Sequence, residues 1–249
     1  KITTLASDAN ITIALKGDAH NYGLTTIDLS GDTDTGNTTN SINVSLEAEP
    51  SRGFTLTGGV KVDNITGGAG NDVINGGADK VAETLVGNAG DDTFIYGYDV
   101  ADSNEGLFTD AVPGVPVDTI TGGTGTGDAI QITEGDASRT FTIAATDSWA
   151  TNITGIEKIT AGVSVGALSV TLHDNAYNQG LRFVDLSGDT SDTGANVINV
   201  DAESTGDYTI IGSAGNDTIT GGAGDDHITP GEGANVIEAK EGLDTIVLQ

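Results

Sequence analysis

The chain has 249 residues, with 37 acidic against 9 basic side chains and a net charge of −28. That balance excludes nucleic acid and anionic membrane as partners, and it opposes compaction unless cations are bound. There is no cysteine, which removes disulfides, thiolate catalysis and zinc–sulfur sites together. Twenty-seven of the acids are Asp and 10 are Glu, a bias towards turns and metal loops over helices. Aromatics make up 4%, too few for an ordinary globular core but enough for a solenoid filled with stacked Ile, Val and Leu. No apolar run reaches membrane-spanning length, so a membrane-inserted protein is not expected. The sequence opens at Lys1 with no signal-peptide pattern and reads as a piece of something longer.

In chain order, Ile11–Leu15 and Leu24–Leu29 alternate apolar and polar residues and predict strands. Residues 30–37 (SGDTDTGN) predict a loop in which Asp32 and Asp34 are candidate ligands of a second kind of calcium site. An EF-hand is excluded there, because the Glu and flanking helices are missing; an Asx-turn between strands is the competing reading. Ser41–Leu46 and Phe54–Thr57 predict two further strands.

Residues 58–95 then read GGVKVDNIT, GGAGNDVIN, GGADKVAETLV and GNAGDDTFI, and residues 212–247 read GSAGNDTIT, GGAGDDHIT, PGEGANVIE and AKEGLDTIV. Each unit divides into six loop residues and three strand residues. Gly67, Gly68 and Gly70 with Asp72 fit G-G-x-G-x-D-x-U-x, where U is a large aliphatic. Gly87 and Gly90 with Asp92, Gly212 and Gly215 with Asp217, and Gly221, Gly222 and Gly224 with Asp226 repeat it. Glycine permits positive φ and inward carbonyls, and the Asp at position six adds a carboxylate; both oxygens suit a hard cation such as Ca²⁺. Position eight (Ile65, Ile74, Phe94, Ile219, Ile228, Ile237, Ile246) is expected to point into the solenoid. The neighbour at position five, for example Asn71, is expected to be no ligand and to matter little.

Between the blocks, residues 99–118 predict an excursion off the solenoid, and 119–132 a degenerate loop and strand with Asp128 as a further candidate ligand. Phe141–Ala144 and Ile153–Ile159 predict strands, with Trp149 packing between them and one short helix near 146–151. From residue 158 the sequence repeats itself: Lys158-Ile-Thr matches Lys1-Ile-Thr, Val184–Thr190 matches Ile27–Thr33, and Tyr208–Gly212 matches Phe54–Gly58. The organisation expected is a first module over 1–96, a connecting stretch over 97–157 and a second module over 158–249.

The nonapeptides resemble the repeats-in-toxin (RTX) family of secreted bacterial proteins. The ITGIEKIT and LxxIDLSGDT phrases are similar to strand repeats of calcium-dependent S-layer and type I secreted surface proteins. The resemblance implies an all-β fold, an elongated right-handed parallel β-helix or β-roll with two nonapeptides per turn and several Ca²⁺ ions between loops n and n+2. It pairs Asp72 with Asp92, Asp217 with Asn235 and Asp226 with Asp244, and sets Asp63 against the loop at Gly76. That loop, with Val81 where the Asp belongs, departs from the pattern, as do Lys61, Asn235 and the last unit's opening.

No catalytic constellation stands out: G-x-S-x-G, H-E-x-x-H and the P-loop are missing, and His20, His173 and His227 read as solvent-facing. An enzyme is not expected. The function expected is a calcium-dependent structural protein of the bacterial cell surface, an S-layer or filament subunit, secreted and self-associating through calcium. Cell-surface polysaccharide is a further candidate partner. The alternatives are the stalk of a large adhesin and the calcium-binding tail of a secreted hydrolase.

Overall fold

The computed structural model describes residues 1–4, 10–17, 19–33, 39–46, 52–77, 82–96, 118–133, 141–142, 152–163, 167–190, 195–202 and 206–248. The excursion expected over 99–118 falls outside these apart from Asp118, as do the helix expected near 146–151, Trp149, Val81 and Asp34. The chain divides into two compact units. One comprises Lys1–Ile95, Asp99–Ala129 and Thr151–Ile156, and the other Tyr96–Tyr98, Ile130–Ala150 and Glu157–Gln249.

In the first unit the strands run β1 (Ile2–Thr3), β2 (Thr12–Lys16), β3 (Thr26–Asp28), β4 (Thr39–Leu46), β5 (Thr55–Thr57) and β6 (Val62–Thr66). They continue through β7 (Val73–Asn75), β8 (Thr84–Asn88), β9 (Thr93–Tyr96), β10 (Thr119–Gly123) and β13 (Ile153–Thr154), while β11 (Ala129–Ile132) belongs, all but Ala129, to the second unit. Each strand pairs in parallel with its equivalent in the next coil, giving β1-β3-β5-β7-β9 on one side and β2-β4-β6-β8-β10-β13 on the other. The fold is a parallel β-roll: two strands and two turns make one coil, and each coil lies in register on the last.

The register follows from the side chains. Most strands are short, rich in Thr, Val and Ile, and bury the residue between two half-exposed neighbours. Ile27, Leu56, Ile74 and Phe94 stack on one side, and Ile42, Ile65, Leu85, Ile120 and Ile153 on the other, all nearly or fully buried. Slipping one strand by a residue would turn its aliphatic residue outward and a Thr inward, so the period of two locks each coil to its neighbour.

The second unit is built alike from β12 (Phe141–Thr142), β14 (Lys158–Ala161), β15 (Ser169–His173), the short helix α1 (Asp174–Asn178) and β16 (Phe183–Asp185). After these come β17 (Val197–Ala202), β18 (Thr209–Ile211), β19 (Thr218–Thr220), β20 (His227–Thr229), β21 (Val236–Glu238) and β22 (Thr245–Ile246). Its parallel stacks are β14-β16-β18-β20-β22 and β12-β15-β17-β19-β21. Ile159, Val184, Ile210 and Ile228 fill one side, and Val170, Ile198 and Ile219 the other.

The internal repeat returns at the level of single hydrogen bonds. Ser30 donates its backbone N–H and hydroxyl to Asp28 Oδ1 at 3.0 and 2.6 Å, and Ser187 does the same to Asp185 Oδ1 at 3.0 and 2.6 Å. The Ala19 carbonyl accepts from Tyr22 and Leu24, and the Ala176 carbonyl from Gln179 and Leu181. That turn is a 3-10 turn over His20–Tyr22 in one unit and α1 in the other, a helical piece that the strand periodicity did not signal.

At the last two repeats the position-eight residues keep their register, Ile237 on Ile219 and Ile246 on Ile228. Ile237 is half-buried and Ile246 is 45% exposed, beside Leu243 at 83%, because no further coil lies over β21 and β22 among the described residues. Burial of the position-eight residue is supplied by the next coil rather than by its own.

Candidate metal sites

The turns place one carboxylate or amide per loop, two residues before the buried aliphatic: Asp63 before Ile65, Asp72 before Ile74, Asp92 before Phe94, Asp217 before Ile219, Asp226 before Ile228. These five Asp are buried, as are Asp128 and, at the start of β8, Glu83. Each sits directly over its equivalent one coil away. Asp72 N–H donates to Asp92 Oδ1 at 2.7 Å, Asp217 N–H to Asn235 Oδ1 at 2.8 Å, and Asp226 N–H to Asp244 Oδ1 at 2.9 Å. Asp92 N–H donates in turn to Asp128 Oδ1 at 2.7 Å, while Phe54 and Tyr208 N–H donate to Asp72 and Asp226 Oδ1 at 2.6 and 2.8 Å. A ladder of carboxylate oxygens and backbone N–H groups therefore runs along the turns of each unit.

The second oxygen turns back into its own loop. Gly59 N–H donates to Asp63 Oδ2 at 2.8 Å, Gly68 to Asp72 Oδ2 at 2.6 Å, Ser213 to Asp217 Oδ2 at 2.6 Å and Gly222 to Asp226 Oδ2 at 2.8 Å. This explains the glycine at position one. A Cβ on Gly58, Gly122 or Gly212 would stand 2.6 Å from the Oδ2 of Asp63, Asp128 or Asp217, and one on Gly221 2.7 Å from that of Asp226. On Gly67 and Gly87 it would fall against Asp72 and Asp92 and lie 2.6 Å from the carbonyl oxygens of Gly87 and Gly122 one coil on. The glycine at position four is fixed by close approach as well, Gly70 against the Arg52 carbonyl and Gly224 against that of Gly206. Positive φ is therefore not the general reason for these glycines. Among the repeat glycines it occurs at Gly77, Gly90, Gly231, Gly233 and Gly242, with Gly90 at φ 113° stacked on the Gly70 backbone, while Gly215 N–H donates to Ser213 Oγ at 3.1 Å.

Several ligands escaped the nonapeptide pattern. Where Val81 was aligned with the missing Asp, Glu83 takes the position: Asp63 N–H donates to Glu83 Oε2 at 2.6 Å, and Glu83 N–H to Asp118 Oδ1 at 2.8 Å. Asn40 and Asn196 hold the same place before Ile42 and Ile198, accepting from Ile11 and Leu168 N–H at 3.1 and 2.7 Å. The signal that finds them is an acid or amide two residues before each buried aliphatic, regardless of glycine.

Position five is not inert. Asn71 Oδ1 accepts from Asp91 N–H at 3.0 Å, Asn216 Oδ1 from Ala234 at 2.7 Å, Asp225 Oδ1 from Leu243 at 2.7 Å and Asp207 Oδ1 from Asp225 at 2.8 Å. Here the earlier coil accepts and the later donates, the reverse of position six, so adjacent residues bond in opposite directions along the stack. His20 is corrected too. It is half-buried, its Nε2 3.3 Å from the Gly53 carbonyl and its ring edge-on to Phe54 at 5.2 Å.

Asp32 does not lie on an exposed loop. Its side chain is 0% exposed and its Oδ2 is 3.0 Å from Lys61 Nζ, itself 0% exposed, with Asn40 Nδ2 donating to the same oxygen at 3.1 Å. Asp189, its repeat in the second unit, is equally buried and accepts from Asn196 Nδ2 at 3.0 Å.

Burial governs the electrostatics. Desolvation pushes Asp63 up to about 6 and Asp92 up to about 7, the latter pushed further by Asp72, Asp128 and Asp91 around it. Asp72, Asp118, Asp217 and Asp226 are raised for the same first reason, against backbone N–H groups that favour the charged form. Asp63 Oδ1 and Asp92 Oδ2 are buried without a hydrogen bond. Among the described residues no three Asp, Glu or His side chains converge. An ion between two turns would therefore take one carboxylate per loop and complete its shell with carbonyls, such as those of Gly87 and Gly122, an all-oxygen set that suits Ca²⁺. The residues present fit that ion.

A roll whose turns stack acidic loops and glycine carbonyls coil upon coil defines a calcium-binding β-solenoid. Residues 55–80, 82–98 and 205–237 match the RTX calcium-binding nonapeptide repeat (4 copies), so the chain carries calcium-binding RTX repeats in both units. Such repeats bind Ca²⁺ and typify type I secreted extracellular proteins. Comparisons with curated proteins and with solved structures give no match. No helix among the described residues is long and apolar enough to cross a membrane.

Two outcomes follow from the ladders. Asn71→Ala removes a neutral hydrogen bond and should cost about 1 kcal/mol in chemical denaturation while leaving the calcium stoichiometry unchanged. Asp72→Ala should lower both, by calorimetric titration; equal calcium loss in the two variants would contradict the assigned register. In metal-stripped protein, Asp63 and Asp92 bind protons more tightly folded than unfolded. Their contribution is complete below the unfolded value near 3.8 and lost as pH rises through about 6 and 7. In chelator, more β signal should survive at pH 5 than at pH 8, and saturating calcium should reverse the trend; a metal-free β signal that grows over this range contradicts the assignment.

Proposed function

We propose that this chain is a non-enzymatic, calcium-stapled structural segment of a secreted bacterial surface protein, an S-layer or filament subunit that associates with further copies of itself. The observation that carries the reading is the carboxylate ladder: buried acids stacked one coil apart, in a chain of charge −28. Calcium between loops such as those of Asp72/Asp92 and Asp226/Asp244 holds the charged form of each acid and couples each coil to the next. A site that binds only the folded state adds RT ln(1 + [Ca]/Kd), roughly 2.7 kcal/mol at a hundredfold excess over Kd. A few such sites reach the stability of a whole domain, ~5–15 kcal/mol.

The assembly part rests on charge: a chain of −28 repels its own copies, and calcium shared between molecules removes that repulsion. Asp32 and Asp189 are buried within their own units and do not bridge molecules, so bridging falls to exposed acids such as Asp91, Asp207 and Asp225. The stalk of a large adhesin and the tail of a hydrolase use the same calcium chemistry without the lattice.

Circular dichroism in chelator should show loss of β signal, regained with millimolar Ca²⁺ and not with equal Mg²⁺. Light scattering over the same titration should rise after the β signal is complete. An unchanged spectrum in chelator sinks the calcium reading, whereas a chain that folds with calcium yet stays monomeric at ~10 mM, where weak extracellular sites saturate, favours the adhesin stalk.

A further inference from the structure

One repeat carries a cation of its own. Lys61 stands at position four of Gly58–Thr66, where the other glycine-rich units have Gly70, Gly90, Gly215 and Gly224. Its side chain runs inward to full burial and sets Nζ 3.0 Å from Asp32 Oδ2, both 0% exposed. Asn40 Nδ2 reaches the same oxygen at 3.1 Å, and the ammonium also acts on Asp63, holding down the pKa that burial raises. Lys61 thus reaches from the loop of Asp63 to an acid of the preceding coil and ties successive turns together, as an ion between them would. A buried ammonium costs several kcal/mol unless it is paired and hydrogen-bonded, and here it is paired with the buried Asp32 carboxylate.

The second unit shows the same turn without the ammonium. Asp189, Asn196 and Asp217 correspond to Asp32, Asn40 and Asp63, and position four is Gly215. A hydroxyl stands between the acids instead: Asn196 Nδ2 donates to Asp189 Oδ2 at 3.0 Å and to Ser213 Oγ at 2.9 Å, and Ser213 Oγ lies 3.0 Å from Asp217 Oδ1. The two units differ by one fixed positive charge at one equivalent place.

We propose that Lys61 is a tethered cation that replaces a calcium ion between the 29–32 and 58–63 turns, so that the first unit enters its repeat block through a coil that needs no metal. Covalent attachment gives the ammonium an effective concentration that free calcium reaches only at saturation. It therefore neutralises this turn at calcium levels too low to fill the others. The first unit then keeps a metal-independent coil on which the 67–75 and 87–95 loops close as calcium binds.

The proposal rests on the calcium reading above, and the test separates the two. Calcium bound per full-length chain is counted by native mass spectrometry and calorimetric titration for wild type, Lys61→Gly and Lys61→Met. Lys61→Gly restores the glycine of position four and should bind one more calcium ion than wild type. Lys61→Met keeps the bulk without the charge; it should bind no additional ion and melt lower than wild type at saturating calcium. A folded Lys61→Gly chain that binds the same number of ions as wild type overturns the proposal. So does a Lys61→Met chain that melts with wild type, a readout that stands even if the glycine variant fails to fold. Wild type that binds no calcium overturns the calcium reading itself and this inference with it.

Discussion

Most of the described turns of this roll bury a carboxylate or an amide, and the remaining architecture accommodates that burial. The acid accepts an N–H from the coil before it and an N–H from its own loop, as Asp72 does from Phe54 and Gly68. Charge-assisted bonds of this kind contribute about 1.5–3 kcal/mol each, yet they repeat every coil and so stack negative charge on negative charge. Backbone donors alone leave Asp92 raised to about 7 with one oxygen unsatisfied. A divalent cation between coils removes both defects at once. On the reading proposed above, stability and metal dependence are one property, because the hydrophobic interior is a single file of aliphatic residues per strand stack.

Directionality gives the stack its order. Position six bonds towards the earlier coil's backbone and position five towards the later one, so Asn71 and Asp72, adjacent in sequence, tie the same loop to both neighbours. The glycines let the loops approach closely enough for this. Gly67 and Gly87 leave open the space where a side chain would meet the position-six carboxylate and the next coil's carbonyl. The two units use one plan, down to the Asp28–Ser30 and Asp185–Ser187 bonds, but differ at one equivalent turn: Lys61 pairs with Asp32 in the first, while in the second Asp189 accepts from Asn196 and the Ser213 hydroxyl bonds Asp217.

Much of this is legible in the amino-acid sequence, because a solenoid writes its period into it. The position-eight aliphatics and the offset between modules come from spacing, whereas the vertical pairing of Asp72 with Asp92 and Asp226 with Asp244 is what the resemblance to the nonapeptide family implies; the strand registers stack those loops one coil apart. Glu83, Asn40 and Asn196 escaped because the glycine signature was taken as the mark of a ligand loop. What the backbone requires is only an oxygen two residues before the buried side chain. Asp32 was misplaced for a different reason. Its surroundings, SGDTDTGN, have the composition of an exposed loop, and its partner Lys61 lies 29 residues away. The helical turn at Asp174–Asn178 is too short to carry a period.

The central claim is that calcium sits inside the turn stacks, between successive position-six carboxylates, rather than on the acidic surface. Anomalous difference maps from crystals grown with terbium in place of calcium test it directly. The account predicts peaks between the Asp72 and Asp92 loops and between the Asp226 and Asp244 loops, each shared by carboxylate and carbonyl oxygens of two coils. Peaks confined to exposed acids such as Asp91, Asp207 and Asp225, with the stacks empty, would contradict it.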